Sequence, residues 1–268
     1  MAAAAHRAAH QLLDDGWIFS DSLAVRILGE DPAEVARAGE EPGRRAMRIF
    51  IAARTRSAED ALAAAVADGV GQLVVLGAGL DTYAYRGAFR DRLRIFEVDH
   101  PATQAWKRER LQAAGIAAPD SLTFAPVDFE RETLADGLSS GGFDLTQPSF
   151  FTWLGVVPYL REEAIWSTLG YIAALPGVAR VVFDYGEPPD SLPPGMRERY
   201  EKRAARVAEF GEPFLSFFEP GALRNELLAR GFSRVDDWGP RRIAQRFFPA
   251  RAAFAPDRGG HIVLATRI

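Results

Sequence analysis

The chain has 268 residues, of which 48% are hydrophobic and 25% are charged, and it contains no cysteine. This length allows one large buried core, whereas the absence of cysteine excludes disulfides, thiolate metal sites and a cysteine nucleophile. The formal net charge of −4 offers no basic surface for a phosphate backbone, and no apolar run approaches the ~18 residues of a membrane span. We therefore expect a cytoplasmic protein that binds neither nucleic acid nor a membrane.

Residues 8–67 are predicted to be mainly helical, with breaks at Asp31-Pro32 and at Glu41-Pro42-Gly43. After this N-terminal cap, apolar segments with strand-like composition alternate with helical segments, which predicts a doubly wound, mostly parallel sheet. The first five predicted strands are Gln72–Leu76, Leu93–Val98, Leu122–Val127, Phe143–Trp153 and Val178–Tyr185.

A proline-rich stretch leads into a charged helix over Met196–Phe210, which we interpret as an inserted helical lid. A further helix begins at Pro220 and is ended by Gly231, and two more strands, near Phe232–Trp238 and at His261–Thr266, bring the sheet to seven strands. We expect one domain over residues 1–268, divided into the cap (1–68), a cofactor-binding core (69–185), the lid-like insertion and its following helix (186–230), and the final strands (231–268).

The first strand ends in the glycine turn Gly77–Thr82, with the sequence GAGLDT. Its two glycines lack a Cβ, so a ligand can approach the backbone. A dinucleotide site would need a third glycine where Thr82 stands, which argues against NAD. Glu97 and Asp99 close the next strand, where a carboxylate can accept both hydroxyl protons of a ribose. Together these features predict an adenosine ligand that lacks a diphosphate.

The glycine turn and the residues after it resemble the leucine carboxyl methyltransferase family, a class I S-adenosylmethionine-dependent group. The resemblance implies a Rossmann-like methyltransferase fold and S-adenosyl-L-methionine as the cofactor, and we expect no metal site. Matching segments follow the family's order along nearly the whole chain: Phe19–Ala24, Ala53–Arg56, Gly77–Arg86, Glu97–Pro101 with Lys107-Arg108, Val127–Phe129, Trp153–Leu160, Phe183–Tyr185 and Gly231-Phe232.

The resemblance also implies how each part of the cofactor is held. The guanidinium of Arg54 clamps the methionine carboxylate, and the backbone of Gly77 and Gly79 faces the methionine moiety. Asp81 either orients the turn or receives the amino group.

The adenosine part of the cofactor has its own set of residues: Asp99 holds the ribose hydroxyls, Asp128 accepts from the adenine amino group, and the backbone N–H of Phe129 serves an adenine ring nitrogen.

Three aromatic residues, Trp153, Tyr159 and Tyr185, lie at or just after the carboxyl ends of predicted strands. Ligands bind at this edge of open α/β sheets, so these rings are candidates for lining an acceptor pocket. A role as ordinary core aromatics is equally consistent with the sequence. In the fourth motif Leu154 stands where many family members have an acidic residue, and nearby backbone carbonyls are our candidate replacement.

We expect O-methylation of a small molecule of secondary metabolism, with a carboxylate slightly preferred over a hydroxyl. A carboxylate is already ionised at neutral pH and needs no general base, and no histidine follows a recognisable base motif. His261 is the candidate base, with a structural strand-end histidine as the alternative. Two other functions stay open: a nicotinamide-dependent oxidoreductase, and a cofactor-binding module without methyl transfer.

Overall fold

The computed structural model describes residues 2–128, 132–209, 211 and 213–268. The described residues form a mixed α/β fold with a seven-stranded sheet, which confirms the predicted fold class. The strands are β1 (Gln72–Leu76), β2 (Arg94–Asp99), β3 (Leu122–Pro126), β4 (Ser149–Trp153), β5 (Ala179–Gly186), β6 (Arg234–Trp238) and β7 (Gly260–Arg267). The α-helices are α1 (Ala2–Leu13), α2 (Ala24–Leu28), α3 (Pro32–Gly39), α4 (Arg44–Ala67), α5 (Tyr83–Arg86), α6 (Pro101–Ala113), α7 (Leu134–Ser140), α8 (Glu162–Ala173), α9 (Pro194–Glu209), α10 (Pro220–Ala229) and α11 (Pro240–Phe247).

The strand order is β3-β2-β1-β4-β5-β7-β6, so the chain leaves β1 in one direction and later continues in the other. β1 pairs in parallel with both β2 and β4, and β2 pairs in parallel with β3. β7 runs antiparallel to β5 and to β6. The crevice where such an order reverses, outside the carboxyl ends of the strands, is the usual ligand site of an open α/β sheet.

The chain divides into two compact units, of which the first ends at Thr152 and the second begins at Trp153. In the first unit every residue of β1 is buried, as expected for a central strand covered on both faces. The ring of Phe143 lies edge-on to Phe96 at 5.5 Å and to Phe151 at 6.0 Å between centroids. Phe143 therefore packs against both β2 and β4, and β2 carries the candidate cofactor residue Asp99.

Small residues let the cap helices of the first unit approach one another closely. Ala4 and Ala8 lie one turn apart on α1 and share a buried cluster with Ala24 and Ile27 of α2. This packing confirms the predicted helical cap, since α1 to α4 all precede β1.

A buried polar network ties the cap to the glycine turn. Thr82 Oγ1 donates to Asp21 Oδ2 at 2.7 Å, and Arg86 Nε donates to Thr82 Oγ1 at 2.9 Å. Arg86 Nη2 also donates to Glu59 Oε1 on α4 at 2.6 Å, and its guanidinium lies 4.7 Å from the ring centroid of Phe19. The sixth residue of the glycine turn is therefore a threonine whose hydroxyl both donates to and accepts from this network.

In the second unit β5, β7 and β6 form an antiparallel group covered by aromatic side chains. The ring of Trp153 lies edge-on to Phe183 at 6.5 Å. Phe218 contacts Trp166 at 5.5 Å and Tyr185 at 6.1 Å between centroids. This aromatic layer surrounds the carboxyl end of β5, where the chain carries further candidate site residues.

The predicted strand Phe143–Trp153 was wrong at its amino end, because β4 begins only at Ser149. Asp144 Oδ1 accepts the backbone N–H of Thr146 at 2.9 Å and its hydroxyl at 2.7 Å, which folds the chain into a turn. Asp favours such side-chain-to-backbone turns over a continued strand. Phe143 is buried before this turn, so its apolar character was correct but its secondary structure was not.

The predicted lid helix over Met196–Phe210 corresponds to α9, although Phe210 itself lies outside the described residues. α11 was not predicted, because its eight residues contain four charged or polar side chains and only a short apolar stripe. None of the helices in the described part of the chain combines the length and apolar composition that a bilayer span requires.

We predict that Arg86→Gln destabilises the fold by about 2–4 kcal/mol, because it leaves the buried Asp21 carboxylate and the half-buried Glu59 carboxylate without their shared guanidinium. The matched control is Arg56→Gln, which breaks the exposed Arg56–Asp60 pair on α4 and is expected to change stability by less than about 0.5 kcal/mol. Urea unfolding of both variants measures the difference. Equal losses in the two variants would contradict a supporting role for the Arg86 network.

Candidate functional site

The glycine turn uses its own backbone donors to bind the neighbouring strand. Gly77 and Gly79 adopt positive φ angles of 63° and 43°, which glycine tolerates without strain. The N–H groups of Gly77 and Ala78 both donate to the carbonyl of Val98 on β2, at 2.8 and 3.2 Å. The N–H of Gly79 donates to Asp99 Oδ2 at 2.6 Å. These three consecutive donors are therefore all occupied within the protein, and none of them is left to hold a pyrophosphate.

Asp99, the last residue of β2, has both carboxylate oxygens fixed by backbone. Oδ2 accepts from Gly79, and Oδ1 accepts the N–H of His100 at 2.8 Å. A carboxylate oxygen has two lone-pair sites, so each oxygen retains one for a further donor. The side chain is half-buried, and it has the acceptor capacity that two vicinal ribose hydroxyls require.

Glu97, the other acidic residue of this strand, does not share that arrangement. Its side chain and that of Lys107 on α6 are each 1% exposed, and they form an ion pair at 2.6 Å. Burial raises the pKa of the Glu97 carboxyl to about 7, although the neighbouring ammonium lowers it. Of the acidic pair seen in the sequence, Glu97 is therefore buried in an ion pair, whereas Asp99 has a partly exposed carboxylate.

The structure places the other predicted cofactor residues of the first unit as follows. Arg54 is buried on α4, the helix that also carries the Arg86 partner Glu59. Asp81 Oδ1 accepts the N–H of Tyr83 at 2.8 Å, so this carboxylate orients the entry to α5.

Asp128 follows β3 and is half-buried, and its N–H donates to Glu132 Oε2 at 3.1 Å. The predicted backbone contact of Phe129 lies outside the described residues. Asp21 and Thr82 hold the turn in place. Both lie in segments that match the family, but the sequence predicts no role for them, because a hydrogen bond between residues 61 positions apart gives no local sequence signal.

The second unit contains the three aromatic residues predicted at the acceptor side. Trp153 and Tyr185 are buried, whereas Tyr159 is half-exposed in a short 3₁₀ turn after β4. Gly155 has a φ of 73°, and its N–H donates to Asp184 Oδ1 at 2.6 Å. The glycine of the fourth motif is thus held by a buried carboxylate from β5, a contact that the sequence alone did not reveal.

His261 lies between two carboxylates at the start of β7. Its Nδ1 is 2.7 Å from Asp237 Oδ1, and its Nε2 is 3.0 Å from Glu187 Oε1. The ring also stacks on Tyr185 at 4.8 Å between centroids, and the Tyr185 hydroxyl donates to Asp237 Oδ2 at 2.6 Å. Glu187 in turn accepts from Arg258 at 2.5 Å.

These contacts favour the charged form of the histidine. Burial lowers the pKa of His261, but the hydrogen bonds and charges of Asp237 and Glu187 outweigh it and raise the pKa above its ordinary value of 6.5. Because each ring nitrogen faces a carboxylate, both N–H groups of the imidazolium have a hydrogen-bond acceptor. Burial and the Asp237 charge raise the pKa of the Tyr185 phenol, so that hydroxyl stays protonated at neutral pH. Among the described residues no cluster of three or more histidine, aspartate and glutamate side chains has the geometry of a metal site.

Comparison with known proteins assigns the chain to a family. The family profile described as leucine carboxyl methyltransferase matches residues 1–173. The chain belongs to this family. It is 35% identical over 185 residues to YktD of Bacillus subtilis, a match that covers 68% of the chain and 60% of YktD. A Mycobacterium avium relative is 33% identical over 221 residues, which cover 78% of the chain and 69% of the relative.

Both relatives carry the name of S-adenosyl-L-methionine-dependent methyltransferases. The family expected from the sequence is thereby confirmed. The chain itself spans about 60% of the length of YktD.

Two solved structures share the fold. A DUF574 family protein from Streptomyces avermitilis superposes with a TM-score of 0.58 at 15% identity, covering 98% of this chain and 97% of that one. Magnesium protoporphyrin IX methyltransferase from Synechocystis, solved with bound SAH, has a TM-score of 0.50 at 14% identity and covers 95% and 94%. At these identities the likeness concerns the fold alone.

We predict that the ion pairs of His261 make stability pH-dependent. Because the pKa of His261 is raised in the folded state, its contribution is fully present below about pH 6.5 and is lost as the pH rises through the folded value. In urea unfolding, the advantage of the wild type over His261→Gln should shrink by about 1 kcal/mol or more between roughly pH 6.5 and 9.

The control for this prediction is Asn225→Gln, an exposed substitution on α10 that changes no titratable group. Its difference from the wild type should be the same at both pH values. If the His261→Gln difference were also independent of pH, the histidine would be neutral in the folded protein, contrary to the geometry.

Proposed function

We propose that this chain is an S-adenosyl-L-methionine-dependent O-methyltransferase acting on a small molecule, with a carboxylate preferred over a hydroxyl as the acceptor. The observation that carries the proposal is the hydrogen bonding between the glycine turn and β2. The N–H groups of the turn donate to β2, and the Asp99 carboxylate still has lone pairs that can accept from a ligand. This arrangement suits a nucleoside without a diphosphate. Membership of a methyltransferase family supports the same ligand.

The cofactor residues predicted from the sequence keep their proposed roles. Arg54 would clamp the methionine carboxylate, the turn backbone would face the methionine moiety, and Asp99 would hold the ribose hydroxyls. Asp81 already fixes the turn through Tyr83, which is one of the two roles expected of it. Asp128 and the backbone of Phe129 would serve the adenine. When bound, the cofactor supplies an electrophilic methyl group on a sulfonium, so the protein's tasks are alignment and exclusion of water.

A carboxylate acceptor is favoured because the histidine proposed as a base is already engaged. Both nitrogens of His261 face carboxylates, and its raised pKa favours the imidazolium, which cannot accept a proton. We infer that His261 is a positioning residue that holds the ends of β5, β6 and β7 through Glu187 and Asp237. An ionised carboxylate needs no proton removed before it attacks the methyl group. Tyr159, Trp153 and Tyr185 remain the proposed acceptor-side rings.

We predict that Asp99→Ala lowers the affinity for S-adenosylhomocysteine by roughly 10- to 100-fold, because the ribose hydroxyls lose a charged acceptor and Gly79 loses its partner. Asp99→Asn keeps a neutral acceptor and should lose less. The control is Asp91→Asn, a highly exposed carboxylate shortly before β2. Calorimetric titration measures all three variants, and unchanged affinity in Asp99→Ala would remove Asp99 from the site.

The acceptor atom can be identified from the chemical lability of the product. We expect label from methyl-¹⁴C S-adenosylmethionine to enter small carboxylic acids and to be released as methanol by mild base, because esters hydrolyse under these conditions and ethers do not. Base-stable label would indicate hydroxyl methylation. S-adenosylhomocysteine binding without label transfer to any acid or phenol tested would instead favour a cofactor-binding module.

A further inference from the structure

Four aromatic rings and one arginine form a cluster in the second unit, and of these residues only Tyr159 has a role in the proposed function. We call Tyr159, Tyr200, Arg203, Phe214 and Phe217 the Arg203 cluster. The ring of Phe214 lies 5.2 Å from Tyr159 and 5.7 Å from Tyr200, tilted by 35° and 31°. Tyr200 also meets Phe217 edge-on at 5.7 Å. The cluster therefore joins the lid helix α9 to the turn that follows β4.

Hydrogen bonds from the neighbouring segment fix the position of this cluster. The N–H of Leu215 donates to the carbonyl of Pro158 at 2.8 Å, and Ser216 Oγ donates to the carbonyl of Val157 at 2.8 Å. These bonds hold Phe214 beside Tyr159, just beyond the carboxyl end of β4. Acceptor residues are expected at this edge of the sheet.

The guanidinium of Arg203 lies against the rings of this cluster. Its Cζ is 5.1 Å from the centroid of Phe214 and 5.7 Å from that of Tyr200. The surrounding protein withdraws water from the guanidinium and lowers the pKa of Arg203, against the opposite influence of Tyr159 and Tyr200. The residue as a whole nevertheless has an exposed surface, so part of its side chain reaches solvent.

The four rings of the cluster are also partly exposed. Tyr159, Tyr200, Phe214 and Phe217 are each only partly buried, so together they present apolar surface that a flat ligand would cover. A cationic ligand is disfavoured because a guanidinium already lies against two of the faces. An anion would instead meet a planar donor group in partly desolvated surroundings, where a charge-assisted hydrogen bond is stronger than in water.

We propose that the Arg203 cluster binds a flat, aromatic acceptor through a carboxylate on that acceptor, which Arg203 contacts while the rings stack on the ligand's apolar body. The identification of this ligand as the methyl acceptor rests on the proposed function; the anion site itself does not. The inference narrows the acceptor from any small carboxylate to an aromatic one.

The test uses two probes of similar shape, the anion 2-naphthoate and the neutral 2-naphthamide, titrated into the protein by calorimetry. We expect naphthoate to bind the wild type at least about tenfold more tightly than naphthamide. Arg203→Gln should abolish that preference, and Arg203→Lys should keep part of it, because a lysine retains the charge without the planar fork. The control is Arg199→Gln, an exposed residue on the same helix, which should behave as the wild type.

S-adenosylhomocysteine is titrated into the same samples, so that the two proposals are judged separately. Its affinity should be the same within about twofold in all variants, because the Arg203 cluster is proposed to hold the acceptor. Naphthoate preference that depends on Arg203 supports the anion site even if S-adenosylhomocysteine does not bind, in which case only the proposed function fails. Equal binding of the two probes, no binding of either, or a preference that survives Arg203→Gln would overturn the inference.

Discussion

The backbone N–H of Gly79 donates to the carboxylate of Asp99 at 2.6 Å, and much of the candidate site follows from this one bond. It draws the turn after β1 onto the end of β2, where the two preceding N–H groups also find their acceptor in Val98. A turn closed in this way has no free donors at these three positions for phosphate, but it leaves a fixed carboxylate with spare lone pairs. The class of ligand that the turn can bind therefore depends on whether its backbone N–H groups donate to the ligand or to the protein. In dinucleotide-binding proteins the corresponding backbone approaches the pyrophosphate, whereas here it is satisfied by the protein itself.

A second layer of contacts keeps that turn in place. Thr82 stands where a dinucleotide fingerprint has glycine, and its hydroxyl joins Asp21 from the cap to Arg86 after the turn. The N-terminal helices are thus part of the site's construction, because a carboxylate from the cap and another from α4 neutralise the same guanidinium. The second unit repeats the principle, since Asp184 holds Gly155 after β4 and the pair Glu187 and Asp237 hold His261. Carboxylates that fix backbone and rings recur at the strand ends of both units.

Much of the fold was predictable because its signals are local. The apolar run of β1, the glycine turn and the cap helices each carry a pattern that a short window contains. The amino end of β4 was not predictable in this way, because the buried Phe143 continued the apolar pattern while Asp144 turned the backbone. In the candidate site, the burial and pairing of Glu97 could not be read from the strand, because its partner Lys107 lies on α6. His261 was visible as a histidine, but its two carboxylate partners lie 24 and 74 positions away. Such long-range polar contacts leave no periodicity, and their roles emerge only when the chain is folded.

The central claim is that the turn after β1 accommodates a nucleoside without a diphosphate. The most direct measurement is a calorimetric comparison of S-adenosylhomocysteine with ADP-ribose, which carries the same adenosine on a pyrophosphate. The account predicts one S-adenosylhomocysteine bound per chain and no binding of ADP-ribose at up to about a hundredfold higher concentration, because the turn donors are already occupied. Binding of ADP-ribose as tight as that of S-adenosylhomocysteine would contradict it.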